Sequence, residues 1–182
     1  MLDLKPSGQI DQRTLTFLRQ NPSISETLAL DLGADIRQVA TLIEPILNAP
    51  RRCESSGYYI QAVSTGCNGF LTTNLPDPIQ TSAPSTGGSW LIGRSRNCAI
   101  AILDTAVSRC HAVIKYKPRQ GFTLTDLGSS NGTFINSKQI PVLTPHPLND
   151  GDLLEFSKFR VEFFVAGWSD LASPAIDTNV LL

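Results

Sequence analysis

The sequence predicts an α+β protein in which a small helical domain precedes an all-β sandwich. Residues 1–50 carry apolar side chains at the three- and four-residue spacing of amphipathic helices. Residues 88–167 instead break into short alternating segments separated by turn residues, which is typical of a β-sandwich. The stretch from Thr72 to Gly88 is rich in Pro, Gly, Ser and Thr, as linkers are. We therefore expect a helical domain at 8–65, a linker at 66–87, a β-sandwich at 88–167 and a polar tail at 168–182.

Residues that typically begin or end helices divide the helical part. Asp11 can cap a first helix, which Asn21-Pro22 would end. Ser23-Ile24-Ser25-Glu26 fits a capping box for a second helix, with Ile24 and Leu28 on one face. Gly33 is placed to close that helix in the left-handed conformation.

A third, longer helix should follow, with Asp35 as its cap and Pro45 as the residue that kinks or ends it. Its apolar positions recur at helical spacing: Ile36, Val39, Ala40, Ile43 and Leu47. Residues 51–54 and 58–63 then predict two strands joined by the turn Ser55-Ser56-Gly57. Three helices followed by a hairpin resemble a winged-helix domain, a fold that often places its third helix in the DNA major groove.

Charge favours protein contact over DNA binding for this helical part. Residues 1–65 hold six Lys/Arg against seven Asp/Glu, whereas residues 88–167 hold nine against six. DNA binders need several cations to replace phosphate counterions. The predicted third helix offers only Arg37, Gln38 and Thr41, with Arg51 and Arg52 at the hairpin. We therefore favour a docking or dimerisation unit, and DNA binding stays as the alternative.

Composition excludes several classes of protein. With 41% hydrophobic and 17% charged residues, the chain can build a core and is neither a disordered nor a collagen-like sequence. No apolar run is long enough to span a bilayer, and the first residues lack the apolar core of a signal peptide. We therefore expect a cytoplasmic protein without a membrane partner.

The four cysteines, at positions 53, 67, 98 and 110, form no short Cys-x-x-Cys clip of the kind that metal sites use. Free thiols in a folded core are the favoured interpretation. A redox-sensitive pair, Cys53 with Cys67 or Cys98 with Cys110, is the alternative. We expect no metal and no cofactor.

The strand part contains four motif blocks in order. They are Gly93-Arg94-Ser95, Ser108-Arg109-Cys110-His111, Ser129-Ser130-Asn131-Gly132-Thr133 and Leu148-Asn149-Asp150-Gly151-Asp152. Asn131-Gly132 between two strands also predicts a two-residue hairpin turn. Each block alone is common, but the ordered set over residues 88–167 resembles the forkhead-associated (FHA) domain family. The family has a further strand before the arginine turn, which must come from within residues 58–82.

The resemblance implies a β-sandwich whose loops at one end bind phosphothreonine peptides. The residues suit that ligand, because a phosphate of charge near −2 needs a fixed cation and several donors. Arg94 offers a planar guanidinium, Ser108 and Ser130 offer hydroxyls, and Asn131 can hold the peptide main chain. Arg109 adds positive field. The resemblance gives His111 a bracing role between the loops, and Gly93 and Gly132 serve turn geometry.

Three functions remain open from the sequence. The favoured one is a phosphothreonine-dependent adaptor, since no nucleophile–base pair, Walker loop or metal cluster indicates an enzyme. A DNA-binding regulator that responds to phosphorylation is the second. The third is a structural protein that uses an unphosphorylated interface, which the intact set of Arg94, Ser108 and Asn131 disfavours.

Self-recognition is a further expectation about the ligand. FHA domains often select the residue three positions after the phosphothreonine, frequently aspartate or an aliphatic residue. Thr72 with Leu75, and Thr178 with Leu181, fit the aliphatic choice. The protein could therefore bind its own phosphorylated linker or tail. Chance matches to so short a pattern are common, so ordinary threonines are the favoured interpretation.

Overall fold

A computed structural model describes residues 11–32, 36–76 and 88–167, in which three helices precede eleven strands. The helices are α1 (Gln12–Gln20), α2 (Pro22–Leu32) and α3 (Ile36–Arg52). The strands are β1 (Tyr59–Ser64), β2 (Gly69–Thr73), β3 (Ser89–Gly93), β4 (Ile100–Ala101), β5 (Ala112–Lys117), β6 (Gly121–Asp126), β7 (Thr133–Ile135), β8 (Lys138–Gln139), β9 (His146–Pro147), β10 (Asp152–Phe156) and β11 (Phe159–Gly167). The predicted α+β class is confirmed.

The strands form two packed sheets. The first has six strands in the order β2-β1-β11-β10-β7-β8, and the second has five in the order β4-β3-β5-β6-β9. β1 runs parallel to β11, with Tyr59 opposite Glu162, and antiparallel to β2. Aromatic and branched side chains fill the space between the two sheets. The largest that are fully buried there are Phe156, Phe163, Ile60, Ile92, Ile102, Ile114 and Leu124. The β-sandwich prediction is confirmed.

The three helices cover the outer face of the first sheet. Ile24, Leu28, Leu42 and Ile43 are fully buried in a second core with Val63 of β1 and Phe70 of β2, among others. The predicted inward positions Ile24 and Leu28 are therefore confirmed. The helices form a third layer on the sandwich because their apolar stripe needs a partner surface.

The end of α3 is fastened to β11 and to the loop before β10. The guanidinium of Arg52 lies 4.2 Å from the centroid of the Phe164 ring and 2.7 Å from the Asp150 carboxylate. Ala49 packs beneath it against Tyr59 and Phe164. Arg52 thus joins the helical layer to the sandwich.

Of the predictions for the starts of the first two helices, one is confirmed and one is wrong. Asp11 caps α1 as predicted, with its carboxylate accepting the N–H of Arg13 at 3.2 Å. The capping box predicted from Ser23 to Glu26 is wrong, because α2 already begins at Pro22 and Ser25 N–H donates to the Asn21 carbonyl. Proline suits the first helical position, where its missing N–H needs no partner. Gly33 and Asp35 lie outside the described residues.

Of the two outcomes predicted for Pro45, a kink or the end of the third helix, the end is wrong. α3 continues through Pro45 and Pro50 to Arg52. Leu42, Ile43, Ile46 and Ala49 are buried on either side of Pro45, so packing against the sheet outweighs the lost backbone bond.

The predicted strand at 51–54 is also wrong, because Arg51 and Arg52 form the last turn of α3. Glu162 of β11 accepts the N–H groups of Ser55 at 2.7 Å and Ser56 at 3.0 Å, which holds the following segment as a turn. The hairpin is instead β1–β2, and β1 is a strand of the sandwich. The additional strand of the sandwich thus comes from within 58–82, as expected.

Two further expectations fail on backbone geometry. Asn131-Gly132 is not a hairpin turn, because β6 and β7 lie in different sheets and only Gly132 of the two has positive φ, at +81°. Thr72 is not an accessible linker residue, because it lies in β2 opposite Gln61 with its hydroxyl buried. Phosphorylation of Thr72 in the folded protein is therefore excluded. Thr178 and residues 77–87 lie outside the described residues.

Candidate functional site

One end of the sandwich carries a cleft of about 520 Å³. The pairs Ile92–Ala112 and Ala112–Asp126 bring the end of β3, the start of β5 and the end of β6 to this edge. Antiparallel neighbours always do this, so three loops distant in sequence meet here. They line the cleft with Arg94, Thr105, Ala106, Val107, Ser108, Arg109, Cys110, Ser130 and Asn131.

Arg94 is positioned by the close backbone approach at Gly93, the last residue of β3. A Cβ on Gly93 would lie 2.3 Å from the carbonyl oxygen of Arg109, so only glycine lets the two loops approach this closely. Arg94 N–H donates to Ser108 O at 2.9 Å, and its Nε donates to Val107 O at 3.2 Å. The side chain is exposed yet held in direction. It offers a fixed cation at the mouth of the cleft.

His111 braces two of the loops from below. It is fully buried, and its Nδ1 accepts the N–H of Ser108 at 3.1 Å. Its Nε2 lies 3.2 Å from the carbonyl of Gly132, to which it donates in the neutral tautomer. Burial lowers the pKa of His111, which favours that neutral form. The ring therefore links the Ser108 loop to the loop that carries Ser130 and Asn131.

Asp126 anchors the loop of Ser130 and Asn131 from its base. It is 1% exposed, and its carboxylate accepts the backbone N–H groups of Gly128 and Ser129 and the hydroxyls of Ser129 and Thr133. Burial acts to raise the pKa of Asp126, but the hydrogen bonds from the Ser129 and Thr133 hydroxyls and from the two backbone N–H groups outweigh it and lower the pKa. The ionised carboxylate thus fixes the loop.

Ser130 and Asn131 reach across to the opposite wall. Ser130 N–H donates to the Ser108 hydroxyl at 3.1 Å, and the two hydroxyl oxygens lie 3.5 Å apart. The side-chain amide of Asn131 donates to Ala106 O at 2.8 Å. Since an amide carries two N–H donors and an acceptor oxygen, Asn131 keeps groups for a ligand while it holds the 106 loop in place.

The family comparison decides what this cleft belongs to. Residues 90–157, which contain the Arg94 turn, the His111 strand and the Asp126 loop, match the model of the FHA domain. This part of the protein is an FHA domain.

Relatives of the FHA domain cover only part of this chain. Human kanadaptin is 32% identical over 87 residues, which are 42% of this chain and 12% of kanadaptin. The glycogen accumulation regulator GarA of Mycolicibacterium smegmatis is 31% identical over 94 residues, which are 48% of this chain and 57% of GarA. The solution structure of an FHA domain from Arabidopsis thaliana shares 32% identity over 50% of this chain and 80% of that one, with a TM-score of 0.41. The chain thus spans less than two thirds of both curated relatives.

The structure brings the predicted site residues of the FHA domain together. Arg94, Ser108, Arg109, Ser130 and Asn131 all line the cleft. Gly93, His111 and Gly132 lie beneath it and shape the loops, through the contacts given above.

Sequence reasoning missed Asp126, Cys110 and the segment from Thr105 to Val107. Asp126 had a local signal, because an Asp two residues before a glycine commonly accepts backbone N–H groups in a turn. The 105–107 segment has a similar signal in Asp104, whose carboxylate accepts the N–H of Ala106 at 2.8 Å, and it reaches the cleft through the contacts of Arg94 and Asn131 with its carbonyls.

No helix within residues 11–32, 36–76 and 88–167 is both long and apolar enough to cross a bilayer. In the same ranges, no three His, Cys, Asp or Glu side chains are grouped to hold a metal ion.

Proposed function

We propose that the protein is a phosphothreonine-dependent binding module that acts in the cytoplasm and not an enzyme. The observation that carries the proposal is the convergence of Arg94, Ser108, Ser130 and Asn131 on one cleft of an FHA domain. The FHA resemblance implies phosphothreonine as the ligand, and the donor set suits a phosphate dianion.

Each side chain has a distinct task in this proposal. The Arg94 guanidinium pairs with phosphate oxygens, and its bond to Val107 O leaves less rotamer freedom to lose on binding. The hydroxyls of Ser108 and Ser130 donate further hydrogen bonds. The Asn131 amide holds the main chain of an extended peptide. Arg109 adds a positive electrostatic potential at the cleft. After the cost of association, such a site should bind peptides in the micromolar range.

The test compares Arg94→Ala with Lys117→Ala, a matched loss of one positive charge. Lys117 is exposed at the other end of β5, away from the cleft. Losing one partner of a desolvated charge pair costs about 2–5 kcal/mol, so Arg94→Ala should weaken binding at least about thirtyfold. Lys117→Ala should bind as the wild type does. Isothermal titration with phosphothreonine and unphosphorylated forms of one peptide measures this, and circular dichroism confirms folding.

Retained affinity in Arg94→Ala would show that the phosphate lies elsewhere. Equal binding of the unphosphorylated peptide would instead favour the structural interface weighed above.

We further propose that the helical layer is a docking or dimerisation unit. Its support is the charge of residues 1–65, six Lys/Arg against seven Asp/Glu, which suits protein contact better than DNA, and Leu30 on α2, at 86% exposure, is the side chain chosen to test it. If the unit dimerises, Leu30→Glu should lower the molecular mass measured by light scattering. If the unit docks another protein, Leu30→Glu should abolish capture of that protein. If the variant changes neither, this face of α2 is not the docking surface.

A further inference from the structure

Two cysteines lie next to the Arg109 carbonyl in the wall of the cleft. Cys98 is fully buried, and its thiol donates to the carbonyl oxygen of Arg109 at 3.2 Å. The same carbonyl accepts the N–H of Ser95, also at 3.2 Å. One acceptor thus ties the Arg94 turn, the Cys98 turn and the Ser108-Arg109 segment together.

Cys110 lies beside this junction and faces solvent. It is exposed and lines the cleft, immediately after Arg109. Its backbone N is bonded to the Arg109 carbonyl carbon, and the Cys98 thiol lies 3.2 Å from the oxygen of that carbonyl, so the two cysteines are immediate neighbours in space. Burial, and after it the nearby Cys110, raises the pKa of Cys98. The accessible thiol is therefore paired with a buried, protonated one.

The other two cysteines have different surroundings. The Cys53 thiol donates to the Glu162 carboxylate at 3.4 Å, beside the end of α3. Cys67 is exposed between β1 and β2. Neither lines the cleft, so the two serve as internal controls.

We propose that Cys98 and Cys110 form a redox-sensitive thiol pair whose oxidation to a disulfide by a peroxide weakens phosphopeptide binding. This inference rests on the proposed function for its effect on binding, but not for the chemistry of the pair.

The chemistry proceeds in two balanced steps. The exposed Cys110 sulfur attacks the peroxide, so that an S–O bond forms, the O–O bond breaks and one water leaves, which gives a sulfenic acid. The Cys98 sulfur then attacks the Cys110 sulfur, so that the S–S bond forms, the S–O bond breaks and the Cys98 proton leaves with the hydroxyl as a second water. Two thiols are oxidised and one peroxide is reduced. A dithiol reverses the change by exchange.

The disulfide would disturb the binding loops because of what Cys98 holds. A disulfide needs the two sulfurs about 2.05 Å apart and removes the Cys98 S–H. The Arg109 carbonyl then loses one of its two donors and moves with Cys110. Ser95 follows through its N–H, so the shift reaches both sides of Arg94 and Ser108. Binding sites tolerate displacements of only about 0.5 Å, so a tenfold or larger loss of affinity is expected.

The experiment uses the full chain, reduced or treated with hydrogen peroxide. Intact mass and peptide mapping detect the disulfide as a loss of about 2 Da on the peptides of Cys98 and Cys110. Titration with a phosphothreonine peptide measures affinity before oxidation, after it, and after a dithiol. The variants are Cys110→Ser, in which the exposed partner is removed, and the double variant Cys53→Ser with Cys67→Ser. Each variant is compared with itself before and after oxidation.

The expected result is a Cys98–Cys110 disulfide in the wild type and in the double variant, with affinity lowered at least about tenfold and restored by the dithiol. In Cys110→Ser, peroxide should leave affinity unchanged. The absence of this disulfide would overturn the pair, and a disulfide without a change in affinity would overturn its control of binding. If the reduced protein binds no phosphopeptide, the proposed function fails, and with it the control of binding, while the mass measurement still decides the pair.

Discussion

Removal of the Asp126 carboxylate should release the loop that carries Ser130 and Asn131. In Asp126→Ala, four hydrogen bonds to this carboxylate disappear: those from Gly128 N–H at 2.8 Å, Ser129 N–H at 2.9 Å, the Ser129 hydroxyl at 2.6 Å and the Thr133 hydroxyl at 2.5 Å. The loop then loses its anchor at the end of β6, while its contacts with His111, Ser108 and Ala106 remain.

The size of the effect follows from the burial of each donor. Gly128 is exposed and Ser129 half-buried, so their groups regain water and each lost bond costs about 1 kcal/mol or less. Thr133 is fully buried, and a hydroxyl left there without a partner costs about 1–3 kcal/mol. Some of this is offset because a buried charge disappears. We expect the free energy of unfolding to fall by about 3 kcal/mol, and phosphopeptide affinity to fall at least tenfold.

Urea unfolding and peptide titration measure the two effects. Asp126→Asn should be milder, because its amide oxygen still accepts the two backbone N–H groups. Glu155→Gln is the matched control, since it removes one negative charge from the pair with the exposed Arg160 near the β10–β11 turn and should cost about 1 kcal/mol or less. The explanation is refuted if Asp126→Ala unfolds within 1 kcal/mol of the wild type and binds the peptide equally well.

The remaining predictions concern Gly93, His111, Arg52 in the helical layer, and DNA binding. Gly93→Ala should lower the free energy of unfolding by more than about 2 kcal/mol in urea titrations, because its Cβ would lie 2.3 Å from the Arg109 carbonyl. Burial lowers the pKa of His111 in the native protein, so the unfolded chain takes up the proton first as the pH falls. The contribution of neutral His111 to the free energy of unfolding should therefore be complete above its ordinary pKa of about 6.5. That contribution should be lost as the pH falls through the native pKa. Urea midpoints between pH 7.5 and 5 test this, and His111→Gln should flatten the slope. Arg52→Ala should destabilise by about 1–2 kcal/mol in thermal unfolding, through its lost stacking on Phe164 and its lost ion pair. Fluorescence anisotropy with random duplex DNA should show no submicromolar binding at physiological salt; a steep salt dependence of tight binding would favour the regulator alternative.

The residues that line the cleft could be predicted because the motif blocks follow strand ends that share one edge of the sandwich, although the backbone predicted for Asn131-Gly132 was wrong. Gly93 must allow a close approach, and Arg94 then follows at a defined place. The strands on either side alternate clearly, so the ends of β3, β5 and β6 could be located from pattern alone.

What the sequence could not predict depends on contacts between distant segments. α3 passes Pro45 because Val63 and Phe70 supply an apolar surface for its buried stripe, and that surface is invisible in the local sequence. The strand predicted at 51–54 fails because Arg51 and Arg52 extend α3 and Glu162 holds the next residues as a turn. Thr72 lies in a stretch of linker composition and still pairs with Gln61, since backbone pairing needs no particular side chain.

The parallel pairing of β1 with β11 has a consequence for the synthesis of the protein on the ribosome. Gln61 and Phe164 are neighbours across this pair although 103 positions separate them in the chain. The ribosome therefore releases α1–α3 and the β1–β2 hairpin long before the strand that completes their sheet. Until β11 emerges, β1 has an open edge, and open edges recruit strands of other chains. Closure of so distant a pair is slow, because loop entropy must be overcome before the contact forms. The helical layer covers one face of this edge from the start. It therefore protects the nascent chain from association while the rest of the domain is synthesised.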